Sequence, residues 1–413
     1  MNLRGVGWLI LVCVVLIGCN PSAENDQTTN DTTTDDDSSN TTNTNSSEEN
    51  SSVSPESSLP VIVDLGTAFK RRGIEGSSYY HSESPYRIDF EKLEGVRGTG
   101  HIRHLVDLNN DVVPELLTLN GVAESADSTV KTEVYRIANE TAELYNPWNT
   151  SAPELVWPRK SLIADFDGNG HLDAVLLGHG WDKDPFPGES VQYFLNDDGT
   201  LTTYVINGTA KVGNIRAFWH GGSAADIDGD GDIDLVLSDA DAIRIFENRG
   251  DGTFEPPTSL TDSAGFYTLE LVDINGDGNA DILGGGHEFD GTPTAYALGN
   301  GKGDFPDSPV ELPAIATFGV VVDVDVFDAN GDDFLEILVT RTGGTSSAAD
   351  TNFYEGYHIQ LLTSSDEGYV SSTIAESTTG DWVEWLHIQD IDGDSKLEAY
   401  SDLLNSGLEW DLE

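Results

Sequence analysis

The residues with the clearest chemistry are Asp226, Asp228, Asp230 and Asp234, four carboxylates within nine positions, interleaved with Gly229 and Gly231. Such charges repel one another unless a cation sits among them. Side chains at loop positions one, three and five converge when the backbone curls. The glycines permit that curl, and position nine closes the cage. An all-oxygen, flexible, anionic cage suits Ca²⁺, which takes six to eight oxygens, better than Mg²⁺ or a transition metal. An EF-hand is excluded, because its bidentate acid stands at position twelve, which here is Leu237. Asp234 instead opens an apolar run, Leu235 to Leu237, that predicts a strand. The spacing therefore predicts a strand-loop-strand calcium site.

Aligned on the first acid, five more loops begin at Asp107, Asp165, Asp273, Asp328 and Asp390. Their quartets are Asp107/Asn109/Asp111/Glu115, Asp165/Asp167/Asn169/Asp173, Asp273/Asn275/Asp277/Asp281, Asp328/Asn330/Asp332/Glu336 and Asp390/Asp392/Asp394/Glu398. One quartet could be chance in so acidic a chain; six in register could not. Position six is Gly170, Gly231 and Gly278 in the middle three loops but Val112, Asp333 and Ser395 in the others. The first loop also has Asn110 at position four, so it is expected to bind calcium worst or not at all. The first acids are 58, 61, 47, 55 and 62 residues apart, the period of a β-propeller blade and far too long for a nine-residue β-helix.

The chain resembles the FG-GAP and VCBS repeat family, whose blades carry a D-x-[DN]-G-[DN]-G-x-x-D loop. The nearest stretches are VDINGDGNADILGGG and ADIDGDGDIDLVLSDADAIRIFENRGDGTF, the second with the N-x-G-D-G-T-F turn typical of the family. The resemblance covers roughly residues 95 to 413. It implies an integrin-alpha-like, calcium-binding, all-β propeller with up to six structural Ca²⁺ ions. It says little about activity, since such blades serve adhesion receptors, lectins and lyases.

The elements that must hold these loops read as four antiparallel strands per blade. In the fourth repeat they are Leu269 to Ile274, Ala280 to Leu283, Thr294 to Leu298, and one after the Gly299 to Gly303 turn. Six blades are favoured and seven are possible. A loop-free seventh blade needs about 45 residues, slightly more than Leu59 to Gly100 supplies. After Asp390 the chain has strand patterns near Leu397 to Leu403 and Leu408 to Leu412 and ends one strand short. The N-terminal patterns at Leu59 to Leu65 and Tyr86 to Phe90 are the expected donor that clasps the ring.

If the strand entering each loop is innermost, the residue six before each first acid lies about 20 Å from the ions, at the opposite face. These residues are His101, Arg159, His220, Tyr267, Val322 and Glu384, with Trp219 and Trp385 beside them. His179 and His287, six residues beyond their closing acids, return to that face. They lie in stretches richer than a blade needs, Gly178 to Gly188 and Gly284 to Gly291. Two readings stand side by side. Glycine and proline make turns there that aromatics cover, or Trp181, Phe186 and Phe289 form a rim that stacks on a sugar or peptide, beside His, Arg, Tyr and Glu side chains suited to an anionic or polyhydroxylated ligand. A His-bound transition metal is a lesser variant of the second reading.

Arg249-Gly250-Asp251 reads as part of a hairpin turn rather than an integrin ligand. There is no G-x-S-x-G elbow, no His-Glu-x-x-His and no cysteine beyond Cys19. A binding, adhesion or scaffolding module for a glycan or protein is favoured over an enzyme. The alternative is a polysaccharide lyase or glycosidase, which needs no short motif.

At the N-terminus, residues 1–19, with Arg4, the apolar Val6 to Ile17 and Leu16 to Cys19, resemble a lipoprotein signal and lipobox, which implies cleavage before a lipidated Cys19. A plain secretory signal with an incidental cysteine is the other reading. Cys13 leaves with the signal, so calcium rather than cystine is the available staple. Residues 20–58 are Asn, Ser, Thr, Asp and Glu with no Lys or Arg, which predicts a disordered tether on the order of 35 Å long. Residues 59–413 form the propeller. The expected location is the bacterial cell envelope, with Asn20 favouring an outer-membrane anchor. A balance of 20 basic to 73 acidic residues, net −53, argues against nucleic acid as a partner.

Overall fold

In the computed structural model of the chain, residues Val61–Glu413 form one compact unit. The structure describes residues 62–64, 77–78, 86–88, 93, 95–96, 102–119, 121–138, 141–206, 215–239, 241–260, 265–329, 332, 334–343, 354–365, 368–380, 382–383, 385–389, 396–400 and 409–412. The lipobox at Cys19, the 20–58 tether, and His101, Asn330, Glu384, Asp390, Asp392 and Asp394 lie outside the described residues.

The described chain is all-β, with a single 3-10 turn at Glu288–Asp290 and no α-helix. Six antiparallel sheets follow one another, each begun by an entry strand that leads into an acidic loop and an exit strand that leaves it. The entry strands are Ile102–Val106, Pro158–Ala164, Gly221–Ala225, Thr268–Val272, Val320–Phe327 and His387–Gln389. The exit strands are Glu115–Leu119, Asp173–Gly178, Asp234–Ser238, Asp281–Gly285, Glu336–Thr342 and Glu398–Tyr400. Third and fourth strands complete the first five sheets in the order in which they occur along the chain. A short strand, Glu154–Leu155, also pairs with the third strand of the first sheet.

Alternation along the strands builds the core. In the second entry strand, Leu162 and Ala164 pack with Trp219, Leu235 and Phe246 of the third sheet. Ile163, between them, packs with Ile102, Leu117 and Val134 of the first. A side-chain period of two thus covers both faces of one sheet. The same sandwiching recurs between the third and fourth, fourth and fifth, and fifth and sixth sheets. Entry strands of neighbouring sheets are in contact from the first sheet through the fifth.

Two features differ from expectation. Among the described residues the sixth sheet has three strands, the last two being Glu398–Tyr400 and Glu409–Asp411, and no N-terminal strand joins it. Ile62–Asp64 and Tyr86–Ile88 pair with each other instead. Between them Ser78, which is buried, docks on the third entry strand. Its N–H donates to the Ala224 carbonyl (2.8 Å) and its Oγ accepts from the Ala224 N–H (2.9 Å).

The entry strands also carry charge inward. Lys160 of the second sheet pairs with Glu270 of the fourth, both side chains being buried. The Ser223 hydroxyl donates to the same carboxylate.

Candidate functional site

Each closing acid, Glu115, Asp173, Asp234, Asp281, Glu336 or Glu398, is the first residue of an exit strand, and all six are buried. The loops curl because the first acid collects N–H groups from the far side. Asp226 accepts from Gly229 (2.7 Å) and Gly231 (3.0 Å), and Asp165 from Asn169 (3.1 Å) and Gly170 (2.8 Å). Asp273 accepts from Asp277 (3.0 Å) and Gly278 (2.8 Å), and Asp107 from Asp111 (3.1 Å) and Val112 (2.8 Å). In the fifth loop Asp332 donates through its N–H to Asp328 (3.2 Å). Gly231 sits at φ 95°, where a Cβ is costly; Val112 takes the matching place at 74°.

The closing acid accepts the N–H of loop position two in five sheets: Leu108, Phe166, Ile227, Ile274 and Ala329, at 2.8 to 3.2 Å. In the middle three its other oxygen accepts the N–H of Asn196, Asn248 or Gly299. Burial, reinforced by neighbouring aspartates, pushes Asp173 up to about 8, Asp234 to about 7 and Asp281 to about 6. A cation beside carboxylates so placed would favour their charged form. Asp165, Asp167 and Asp173, and likewise Asp226, Asp228 and Asp234, offer oxygens that all lie within 4.8 Å of one another. These two clusters could hold a metal ion, and an all-oxygen donor set fits a hard one. Among the described residues no other group of acids or histidines gathers so closely.

In the fourth loop position three is an amide, Asn275, whose oxygen accepts the N–H of position five as Asp167 and Asp228 do in their loops. The Asn275 amide nitrogen donates to Asp277 Oδ2 (3.0 Å), and its carbonyl oxygen accepts the Asp277 N–H (2.9 Å). An amide carries donors as well as an acceptor, so it can close on a neighbouring carboxylate where an aspartate at the same position would be repelled. Asp228, which stands at this position in the third loop, has no such donor to offer.

A second pattern stitches the sheets together at this end. The Asn248 amide of the third sheet donates to the Phe166 carbonyl in the second loop (2.7 Å), and that of Asn196 donates to the Leu108 carbonyl in the first (2.8 Å). In the fourth sheet the Gly303 N–H makes the same bond to Ile227 (2.9 Å). Each of these three loops is therefore tied by the turn of the sheet that follows.

At the opposite end Arg159, His179, His220 and Tyr267 come together. The His179 ring stacks on Phe218 (4.7 Å), Trp157 (5.2 Å) and His220 (5.2 Å), and His220 stacks in turn on Tyr267 (4.9 Å). Trp181 meets Trp157 edge-on, Phe186 meets Phe218, and the Lys183 ammonium lies 5.0 Å from the Trp181 ring. Trp157, Arg159, Trp181, Phe218 and Tyr267 are half-buried. The Nδ1–H of His179 donates to the Gly180 carbonyl. Burial, then the charge of Arg159 and the proximity of His179, hold His220 well below the ordinary imidazole range, so it is neutral at physiological pH. Burial pushes Tyr267 up to about 12.

Other residues expected at this face take other roles. His287 pairs with Asp290 and meets Phe289 edge-on, while Phe289 covers Gly319. Val322 and Trp385 are buried. Trp219 is a core residue, with its indole N–H donating to the Glu189 carbonyl. The run Gly221 to Ala225 has almost no side-chain volume, and Leu177 and Leu237 close over Gly222.

Residues 226–284 match a model of the FG-GAP-like repeat. The chain carries an FG-GAP-like repeat. Among curated proteins none matches it. Among solved structures the chain is similar to an Agrocybe aegerita lectin described for specific recognition of non-reducing terminal N-acetylglucosamine, at 19% identity and a TM-score of 0.46, over 69% of this chain and 68% of that one. It is also similar to a V. cholerae biofilm matrix protein, at 16% identity and a TM-score of 0.43, over 72% of this chain and 42% of that one. A protein from Lactobacillus plantarum shares 13% identity at a TM-score of 0.41, over 78% and 86% of the two chains.

Within the FG-GAP-like repeat, Arg249 and Asp251 are engaged in their own turn, Arg249 with Glu255 (2.8 Å) and Asp251 with Thr253. Sequence reasoning did not single out the residues that fix the two glycine-rich stretches. Buried Glu189 accepts N–H groups from Val156 (2.6 Å), Trp157 (3.4 Å) and Gly180 (3.2 Å), which sets the aromatic stretch in place. Glu288 pairs with the fully buried Arg341 (2.8 Å), whose Nε donates to Gln360 (2.8 Å). A lone acid amid glycines, and an arginine inside an apolar strand, are the signals that could have found them.

Proposed function

We propose that the protein is a lipid-anchored, calcium-stabilised β-propeller of six blades. Its face opposite the acidic loops binds a glycan or a protein segment bearing an acidic group. The observation that carries this reading is the continuous stack of Trp157, His179, Phe218, His220 and Tyr267, drawn from three sheets and set beside Arg159. Aromatic walls with a few polar groups are what a sugar ring or an extended peptide stacks on. A guanidinium on a chain of net charge −53 gives that wall a local preference for an acid. Calcium at the acidic loops would keep the closing acids charged and hold the blades in register. An anchor at Cys19, followed by the polar 20–58 tether, would present the domain away from a membrane.

The test is a glycan and acidic-peptide array probed with the full chain and with an Arg159→Ala/His220→Ala variant, calcium held constant and folding checked by melting. Loss of binding in a variant that still melts cooperatively is expected. Binding that survives both substitutions, or that follows the acidic loops, removes the proposed face.

A further inference from the structure

The first acidic loop differs from the others in what faces its closing acid. The strand register that pairs Leu116 with Tyr135 sets Arg136 opposite Glu115 at the next step. Equivalent registers set Leu195, Glu247, Leu298 and Thr363 opposite the closing acids of the second to fifth loops, and Asp411 opposite that of the sixth. A cation stands at this position in the first sheet alone. The Arg136 Nε is 3.8 Å from Glu115 Oε1, and its guanidinium rests 3.7 Å from the centre of the Tyr145 ring. The same Glu115 oxygen accepts from the Asn109 amide (3.1 Å), so the closing acid itself is met by a side-chain donor. In the fourth loop the matching Asn275 amide turns to Asp277 and not to the closing acid. Positions four and six are Asn110 and Val112, held at φ 56° and 74° where the FG-GAP-like loops use glycine. Val112 and Val113 are exposed.

We infer that the first loop takes no calcium, and that Arg136 supplies in covalent form the positive charge that an ion supplies elsewhere. This rests on the calcium reading of the remaining loops. Tyr145 gives the guanidinium a face to lie on. The loop keeps the fold of its relatives because its backbone hydrogen bonds are the same. Only the source of counter-charge has changed.

Two measurements on the full chain test this. Calcium bound per chain, by equilibrium dialysis, is expected to be the same for the wild type and Asp107→Asn, and one ion lower for Asp226→Asn, with Asp228→Asn as the substitute if that variant does not fold. An ion lost on Asp107→Asn overturns the inference. In metal-stripped protein, Arg136→Gln is expected to lower the melting temperature by about 1 °C, and Arg136→Lys to recover most of it. An Arg136→Gln protein that melts like the wild type also overturns it. If no form binds calcium, the calcium reading of the other loops fails, while the Arg136 comparison still decides whether the arginine neutralises Glu115.

Discussion

At the acidic end of the sheets one bond recurs with only the residue numbers changed: a closing acid accepts the N–H of loop position two in each of the first five sheets. At the other end His179 and His287 occupy the same place in their repeats and meet different neighbours. One stacks between Trp157, Phe218 and His220, and the other pairs with Asp290. Repetition persists where every sheet meets the same demand, which is to turn the chain, bury an acid and hold the next sheet. It lapses where no such demand exists, and there side chains are free to differ from blade to blade.

If that division is sound, damage at the acidic end costs stability and damage at the aromatic end costs binding. Metal removal is the largest perturbation. At concentrations about a hundredfold above Kd, each occupied site contributes about 2.7 kcal/mol, so stripping two or more sites is expected to lower the melting temperature on the order of 10 °C. The pH dependence gives this a sign. In the stripped protein Asp173, Asp234 and Asp281 have pKa values raised from 3.8 to about 8, 7 and 6, so the folded state prefers them protonated. Its stability is highest at acid pH and declines as pH rises through that range. With calcium present the acids are held charged and the decline is expected to disappear. Melting curves from pH 5 to 9, with and without added calcium, are the check; parallel profiles would contradict a cation at these acids.

A smaller effect is expected from Asn248→Ala, which removes the amide bonds to Phe166 and Ile233 and the acceptor for the Arg249 and Gly250 N–H groups. The loss should be about 2–3 kcal/mol by denaturant titration, with the ligand face unaltered in the protein that remains folded. The smallest is Trp181→Ala, a half-buried ring capped by Lys183. It should cost about 1 kcal/mol or less in stability while weakening any ligand that stacks there. A Trp181→Ala protein as unstable as Asn248→Ala would erase the contrast between the two ends.

The acidic end was legible in the sequence because its demands are local: first acid, glycines and closing acid lie within nine residues, and their backbone partners are close by. The order of strands around each loop followed from the same spacing. Spacing treats Asn275 and Asp228 alike at position three, although only the amide also carries a donor, which meets Asp277. Lys160 and Glu270 were not legible as partners, because 110 residues separate them in the chain. Glu189 escaped for a similar reason, since its value lies in collecting backbone N–H groups from Val156, Trp157 and Gly180. Trp219 was misplaced: although beside His220 in the chain, it lies in the core, its indole N–H on the Glu189 carbonyl. The Arg159, His179, His220 and Tyr267 grouping could be anticipated from position alone, but the stacking that joins it depends on Trp157 and Phe218, whose places only the folded chain reveals.

The ties between successive sheets have a direction. The first loop is fastened by Asn196, the second by Asn248 and the third by Gly303, always from a residue later in the chain. A chain that emerges N-terminus first therefore cannot finish a loop until its successor's third strand has been made. At these three loops the carbonyl gains its partner only with the arrival of the next sheet, so the ties form in one direction. A truncation leaves the sheet before the cut unsealed as well as removing those beyond it.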